Sequence, residues 1–89
     1  MALSQTNMET IARTPVQLAN SIRVRRRKLG LSQEELAQKI GVRQRTLSDI
    51  ENARSARLDT LLRILAVLDL ELVVRERTKS SANDIEAIF

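Results

Sequence analysis

Two arginines, a glutamine and a serine lie close together near the middle of the chain, and their side chains carry the donors and acceptors that read base edges. They are Arg43, Gln44, Arg45 and Ser48. An arginine pairs bidentately with O6 and N7 of guanine, and a glutamine pairs with N6 and N7 of adenine. Residues three and four apart are neighbours on a helix, so Ser48 would lie beside Gln44 and Arg45. These four residues are our candidates for base contacts, although each arginine can equally well contact only a phosphate.

The charge around these residues suits a polyanionic partner. Residues 13–57 contain eleven basic and four acidic side chains, a formal charge of +7, whereas the whole chain has a formal charge of +4. Such a basic segment is typical of a domain that binds DNA, and a solvated surface with an excess of arginine is the alternative interpretation. The further candidates for phosphate contacts are Thr46, Arg54 and Arg57. Four more basic residues are expected to form a solvated face that steers DNA only weakly: Arg23, Arg25, Arg27 and Lys28.

Two short helices joined by a tight turn must position the candidate base contacts. Ser32 followed by Glu35 is a capping-box pattern that predicts the start of one helix. Gly41 closes that helix and allows a left-handed turn, while the small Ala37 lets the next helix approach closely. The next helix begins near Arg43, and this helix-turn-helix arrangement places it in the major groove. An ordinary helical hairpin is the alternative.

The flanking segments predict two further helices and one strand. Thr14 and Pro15 mark the start of a first helix, which Gly30 ends. A fourth helix over about residues 58–68 is apolar nearly all round, which indicates burial on more than one side and therefore contact with a second copy. Residues 70–77 alternate in polarity and favour a strand. Because a lone strand leaves backbone groups unpaired, its partner is expected from the second subunit.

The composition excludes several classes of function. The chain has no Cys and no His, so a zinc site of the usual ligands, thiol chemistry and histidine acid–base catalysis are excluded. We therefore expect no metal, no cofactor and no enzymatic activity. Phe89 is the only aromatic residue, which disfavours the stacking platforms of single-strand binders. The absence of a long apolar run and of a signal-peptide pattern predicts a cytoplasmic protein that does not enter a membrane.

Residues 31–52 resemble the helix-turn-helix domain of the phage-repressor (Xre) family, and the resemblance extends over roughly residues 18–68. It implies a phosphate contact from the side chain and backbone of Gln33, and an adenine contact from Gln44. Ala53 departs from the pattern, because the family usually has glycine after Glu-Asn. The departure predicts a strained or reshaped loop after the recognition helix.

The same resemblance implies a salt bridge between the first helix and the end of the third. The matching residues are Arg26 and Glu51. We interpret this pair as structural rather than as a contact with DNA. Removing one partner of such a pair costs about 3–5 kcal/mol if it is well buried.

The chain also resembles HipB-type antitoxins, small repressors of this family that bind a HipA-type serine/threonine kinase toxin. The resemblance rests on residues 14–20, the order of four helices and one strand, and the acidic tail. In that family the strands of two subunits pair into a lid over the dimer, and the tail ends in a bulky aromatic residue. The resemblance thus implies that Ile88 and Phe89 bind the toxin. A frayed end without a role is the alternative.

Together these patterns predict an all-α fold, a four-to-five-helix repressor-like helix-turn-helix domain with one short C-terminal β-strand that pairs across a homodimer. The expected organisation is a flexible arm over residues 1–13, the DNA-binding domain over 14–69, the dimerisation strand over 70–77 and a flexible tail over 78–89. The residues expected at the dimer interface are Leu65, Leu68, Leu70, Leu72 and Val74.

The leading functional hypothesis is a dimeric repressor that binds a palindromic double-stranded operator. In this hypothesis it autoregulates its operon and acts as the antitoxin of a HipA-like kinase toxin. The first alternative is a stand-alone phage or restriction–modification regulator with the same DNA-binding domain and no toxin. The second is a protein-interaction subunit whose helix-turn-helix does not bind DNA.

Overall fold

The computed structural model describes residues 9–78, and within that range the chain forms four α-helices and no strand. The helices are α1 (Pro15–Lys28), α2 (Gln33–Ile40), α3 (Gln44–Glu51) and α4 (Leu58–Val67). The all-α prediction and the predicted order of helices are confirmed. Ile88 and Phe89, the expected toxin contacts, lie outside the described residues.

The first two helices begin at side-chain caps that their sequences predict. The Thr14 hydroxyl accepts the backbone N–H of Gln17 at 3.1 Å, and Pro15 occupies the first turn of α1. The Ser32 hydroxyl accepts the N–H of Glu35 at 3.0 Å, and the Glu35 carboxylate accepts the N–H of Ser32 at 2.8 Å. The Ser32 backbone N–H is the main reason that the pKa of Glu35 lies below its usual value. These caps satisfy donors that a helix start leaves unpaired.

The turn between α2 and α3 depends on a left-handed glycine. Gly41 has φ 79°, and its N–H and that of Val42 both donate to the carbonyl of Ala37, at 2.9 and 3.0 Å. A side chain is rarely held in this conformation. Arg63 of α4 donates from Nη1 to the carbonyl of Ile40 at 2.8 Å, so a second helix fixes the same turn.

The core lies where α2, α3 and α4 meet, with α1 packed against α3. Leu65 and Leu68, predicted at the dimer interface, belong to this core and are 5% and 0% exposed within a single chain. This corrects their assignment, since the inner stripe of α4 packs on α2 and needs no second copy to be buried. The outer side of α4 carries Leu58 and Leu62 instead, which are 67% and 44% exposed.

The segment that follows α4 lies on the surface. The chain turns at Asp69, which has φ 58°, and residues 71–78 are all exposed. Val73 and Val74 are 64% and 92% exposed, although they are β-branched and apolar. Because the described part of one chain offers no strand to pair with them, the strand over residues 70–77 stays a prediction that requires a second copy.

At Ala53, where the family usually has glycine, the backbone adopts the left-handed conformation that glycine favours. Its φ is 63°, and its N–H donates to the carbonyl of Ile50 at 3.0 Å just beyond α3. A left-handed conformation costs a non-glycine residue about 1–2 kcal/mol. Strain at this loop, rather than a rearranged loop, is therefore the consequence of the alanine.

We expect Ala53→Gly to raise the free energy of unfolding by up to about 1 kcal/mol, because relief of strain exceeds the entropy that glycine adds to the unfolded chain. Urea denaturation followed by circular dichroism measures the change. Ala56→Gly is the matched control in the same loop, since Ala56 is exposed and has no positive φ. The control is expected to destabilise, and an equal loss in both variants would contradict the strain at Ala53.

Candidate nucleic-acid interface

The N-terminal end of α3 presents a polar surface to solvent. Arg43 is the N-cap residue without a side-chain capping bond, and Gln44 and Arg45 open the helix. All three are exposed, as is Thr46. Within residues 9–78, no hydrogen bond or ion pair engages the side chains of Arg43, Gln44 or Arg45. Their donors are therefore available to an external partner.

The opposite face of α3 is anchored in the core. Leu47 and Ile50 are 0% and 5% exposed, so the helix cannot rotate about its axis without exposing them. Ser48 lies at the edge of the polar face and is half-buried. The Asn52 amide donates to the carbonyl of Ser48 at 2.8 Å and lies 3.5 Å from its hydroxyl oxygen. Since that oxygen acts as an acceptor, the hydroxyl hydrogen of Ser48 remains free to donate.

The loop after α3 carries two of the phosphate candidates. The backbone N–H of Arg54 donates to the carbonyl of Asp49 at 2.9 Å, and its Nη1 lies 3.4 Å from the Asp49 carboxylate. The Arg54 side chain is 71% exposed, so this ion pair is weak and leaves most of the guanidinium accessible. Arg57 occupies the N-cap position of α4 without a side-chain capping bond, and its Nε lies 3.3 Å from the Asp59 carboxylate with 85% of the side chain exposed. Arg54 and Arg57 therefore lie in the segment that joins the C-terminal end of α3 to the start of α4.

A buried ion pair joins α1 to the end of α3. Nε of Arg26 lies 2.6 Å from one carboxylate oxygen of Glu51, and Nη2 lies 3.0 Å from the other. The two side chains are 8% and 2% exposed. Nη1 of Arg26 donates to the carbonyl of Leu31 at 2.8 Å, in the turn between α1 and α2. The pair thus holds three elements in one geometry, with both oxygens and all three guanidinium nitrogens engaged.

Gln33 belongs to the same network. Its Nε2 donates to Glu51 at 3.1 Å, and the residue is half-buried at the first position of α2. The resemblance implies a phosphate contact from its side chain and backbone. One amide hydrogen and the backbone N–H remain for such a contact, because the other amide hydrogen is held by Glu51. We therefore regard Gln33 first as a residue that positions α2 against α3.

Two arginines cap the C-terminal ends of helices that lie far from them in the sequence. Arg25 donates from Nε to the carbonyl of Leu68 at 2.9 Å and so caps α4. The sequence predicts Arg25 on a solvated face, whereas in the structure its guanidinium is partly buried in a bond to the end of α4. Arg63 caps α2 through the carbonyl of Ile40, and no local pattern singles it out. Each bond satisfies an orphan carbonyl at a helix C-terminus.

The described part of the chain has neither a membrane-spanning helix nor a metal-binding cluster. No helix within residues 9–78 is both long and apolar enough to cross a bilayer. In the same range, the acidic side chains form no group of three or more that could hold a metal ion.

Comparison with known proteins gives a consistent set of similarities. The Helix-turn-helix family matches residues 22–74. The chain is 36% identical to the antitoxin HipB of Escherichia coli strain K12 over 74 residues, which cover 82% of this chain and 84% of that protein.

Solved structures of HipB resemble the fold of this chain. A HipB–O4 20mer complex superposes with a TM-score of 0.70 at 36% identity, covering 80% of this chain and all of that one. A HipA–HipB–O2–O3 complex gives the same TM-score, identity and coverage.

Proposed function

Since the chain belongs to the family of HipB antitoxins, with their helix-turn-helix domain, we propose that it is the DNA-binding antitoxin of a toxin–antitoxin pair. In this proposal it is a homodimer that binds a palindromic operator, represses its own operon and binds a HipA-like serine/threonine kinase toxin. A family of antitoxins with this domain acts by binding, which agrees with the expectation that the chain is not an enzyme.

The observation that carries the DNA-binding part is the exposed N-terminal end of α3. Its side chains Arg43, Gln44 and Arg45 have no partner within the described chain, while Leu47 and Ile50 fix the opposite face. A relative of the same fold has been solved in complex with an O4 20mer. The unpaired donors at a rigid helix start are suited to reading base edges in the major groove.

Affinity and specificity come from different residues in this proposal. Arg54 and Arg57 contact phosphates, with Thr46 and the backbone N–H of Gln33 as further donors, and they set the register of α3 on the duplex. Arg43, Gln44, Arg45 and Ser48 then select the sequence. Phosphate contacts release counterions, so each one is expected to add about 0.9 to the slope of log affinity against log salt.

The kinase-binding part rests on the solved complex of HipA with HipB, in which a relative of 36% identity takes part. By analogy this chain binds a HipA-like kinase, with Ile88 and Phe89 as the proposed anchors. Exposed apolar residues at the end of a polar segment become contacts when a partner orders them.

Selection from a library of random duplexes tests DNA binding and identifies the operator in the same experiment. The expected product is a palindrome with half-sites about one helical turn apart, or a small multiple of it. The control chain carries Arg43→Ala and Arg45→Ala, two side chains that stabilise nothing within the described fold. Enrichment of the same sequences by both chains, or no retained DNA at low salt, would refute the assignment of α3.

The antitoxin role predicts a HipA-like kinase gene beside the gene of this chain, and co-expression with that kinase tests it. The two proteins are expected to purify together, and the kinase alone is expected to be toxic. A palindrome selected by the chain in the absence of any neighbouring HipA-like gene would instead favour the stand-alone phage or restriction–modification regulator.

The dimer in this proposal is built by the exposed apolar segment after α4. Residues 70–77 of two copies pair as antiparallel strands, which covers Leu72 and Val74, now 55% and 92% exposed. Pairing also satisfies the backbone groups that a single strand leaves open. Leu62 on the outer side of α4 extends this apolar surface.

We expect Val74→Asp to convert the dimer into a monomer, because a charge on a strand face that becomes buried is strongly unfavourable. Light scattering after size-exclusion chromatography measures the mass. Val16→Asp is the control, since Val16 is an exposed valine of α1 (67%) that does not belong to the proposed strand. If the dimer survives Val74→Asp, the strand does not build the interface. If the wild-type chain is itself monomeric, the proposed dimer is refuted.

A further inference from the structure

The segment after α4, residues 70–77, leaves the domain through a turn that its own backbone closes. Asp69 has φ 58°, and its N–H donates to the carbonyl of Ala66 at 3.1 Å. The N–H of Leu70 donates to the carbonyl of Leu65 at 2.8 Å. A left-handed residue with these two bonds is a Schellman motif, which ends a helix and sets the direction of the chain that follows. We refer to residues 70–77 as the dimerisation segment, after its role in the proposed dimer.

A side chain of α1 bonds to the same turn. The two bonds of the Schellman motif do not use the carbonyl of Leu68, to which Nε of Arg25 donates at 2.9 Å. This bond is partly buried and joins residues 43 positions apart in the sequence. It is charge-assisted, and such bonds are roughly twice as strong as those between neutral groups. Arg25 therefore attaches the start of the dimerisation segment to the last turn of α1.

A second arginine bonds to the far end of the dimerisation segment. Nη2 of Arg13 donates to the carbonyl of Thr78 at 3.3 Å. This bond is exposed to water, so it is the weaker of the two. Arg13 directly precedes Thr14, the N-cap of α1, whereas Arg25 lies in the last turn of that helix. Bonds from the two ends of α1 therefore reach the two ends of the segment, which fixes its orientation on the domain.

This orientation matters because the dimerisation segment is the joint between the two DNA-binding domains of the proposed dimer. Each domain presents the start of α3 to one half-site, so the separation and relative rotation of the two α3 helices depend on this joint. One base pair added between the half-sites moves one of them by about 3.4 Å and turns it by about 35° around the duplex. A rigid joint therefore makes the dimer selective for one spacing.

We infer that Arg25, assisted by Arg13, is a positioning residue that determines which half-site spacing the dimer accepts. The inference rests on the proposed dimeric repressor and assigns a further residue to its operator choice. The start of α3 selects the bases within each half-site, whereas Arg25 selects the distance between the half-sites. Arg25 does this without contacting DNA, through the orientation of each domain on the paired segments.

Distances between spin labels in the dimer test the orientation without DNA. The chain contains no Cys, so Gln38→Cys provides one attachment site per copy at an exposed position of α2. Double electron–electron resonance is expected to give a narrow distribution of distances for the labelled chain. Arg25→Met keeps an unbranched apolar side chain but removes the donor, so we expect a clearly broader distribution in a dimer of unchanged mass.

Two further variants serve as controls for Arg25→Met. Arg27→Met removes the same charge from the same helix, and the exposed side chain of Arg27 bonds to nothing within residues 9–78. Arg25→Gln keeps an N–H donor at the position of Nε but removes the charge. Both variants are expected to retain the narrow distribution.

Dissociation constants for a series of operators test the consequence for DNA. The series contains the selected operator and duplexes whose half-sites are one base pair closer together or farther apart. The wild-type dimer is expected to lose roughly 5- to 150-fold in affinity on the altered duplexes, the range typical of one mismatched base pair. Arg25→Met is expected to lose much less, while its preference for the base pairs within each half-site stays as in the wild type.

The possible results separate this inference from the proposed function. A narrow distribution in the Arg25→Met dimer, or a spacing preference equal to that of the wild type, would overturn the role of Arg25 and leave the repressor intact. Absence of dipolar coupling in the wild-type chain would refute the dimer itself. If Arg25→Met does not fold, Arg13→Ala replaces it, because its exposed bond holds the other end of the segment. A narrow distribution in Arg13→Ala would then overturn the inference.

Discussion

Replacing Glu51 with alanine is expected to lower the free energy of unfolding by about 3–5 kcal/mol, the cost of leaving one partner of a buried ion pair behind. The guanidinium of Arg26 is 8% exposed and would lose two charge-assisted hydrogen bonds. The amide of Gln33 would lose its acceptor at the same time. A domain of this size rarely has more than about 3–5 kcal/mol to lose, so most of the variant is expected to be unfolded.

Thermal and urea denaturation followed by circular dichroism measure this loss. Asp49→Ala is the control, because it removes the acid of an exposed ion pair with Arg54 and is expected to cost less than about 1 kcal/mol. Arg26→Met combined with Glu51→Leu removes both charges and is expected to recover much of the stability, since apolar replacement of a buried pair is often close to neutral. If Glu51→Ala and Asp49→Ala were equally stable, the buried pair would not hold the helices together.

Arg43→Ala and Gln44→Ala are each expected to relax the preference for one base pair of the operator by about 1–3 kcal/mol, or roughly 5- to 150-fold in the ratio of dissociation constants. The fold should be unaffected, because both side chains are exposed and bond to nothing within residues 9–78. Dissociation constants for the selected operator and for its single-base-pair variants, at one fixed salt concentration, measure the change in preference.

Arg54→Ala and Arg57→Ala are the matched comparison for these substitutions. Each is expected to weaken binding equally on all sequences and to reduce the salt slope by about 0.9, since each would remove one of the proposed phosphate contacts. An equal loss on all sequences for Arg43→Ala would instead make Arg43 a phosphate ligand. Discrimination unchanged by either Arg43→Ala or Gln44→Ala would exclude the start of α3 from base readout.

The helix boundaries were predictable because their signals are local. The Thr14 cap, the capping box of Ser32 and Glu35, and the left-handed Gly41 each act within about one turn of the residues they organise. The polar side chains at the start of α3 followed from the same signals. Once Gly41 ends α2 and Leu47 faces the core, the exposed side of α3 is determined.

The roles that sequence reasoning misplaced depend on distant partners. The apolar surface of α4 is wide, and only the packing of α2 on it shows that Leu65 and Leu68 are inside while Leu58 and Leu62 are outside. The bond from Arg25 to the carbonyl of Leu68 has no spacing signature, because it depends on where α4 ends in space.

Arg54 follows the C-terminal end of α3, and its guanidinium lies 3.4 Å from the carboxylate of Asp49. In the proposed complex with DNA, a phosphate and this carboxylate would compete for the same guanidinium. Thermodynamic linkage makes such competition reciprocal: the free energy that the ion pair with Asp49 removes from DNA binding is the free energy that bound DNA removes from the ion pair. Removing the carboxylate of Asp49 would therefore be expected to strengthen DNA binding on all sequences alike.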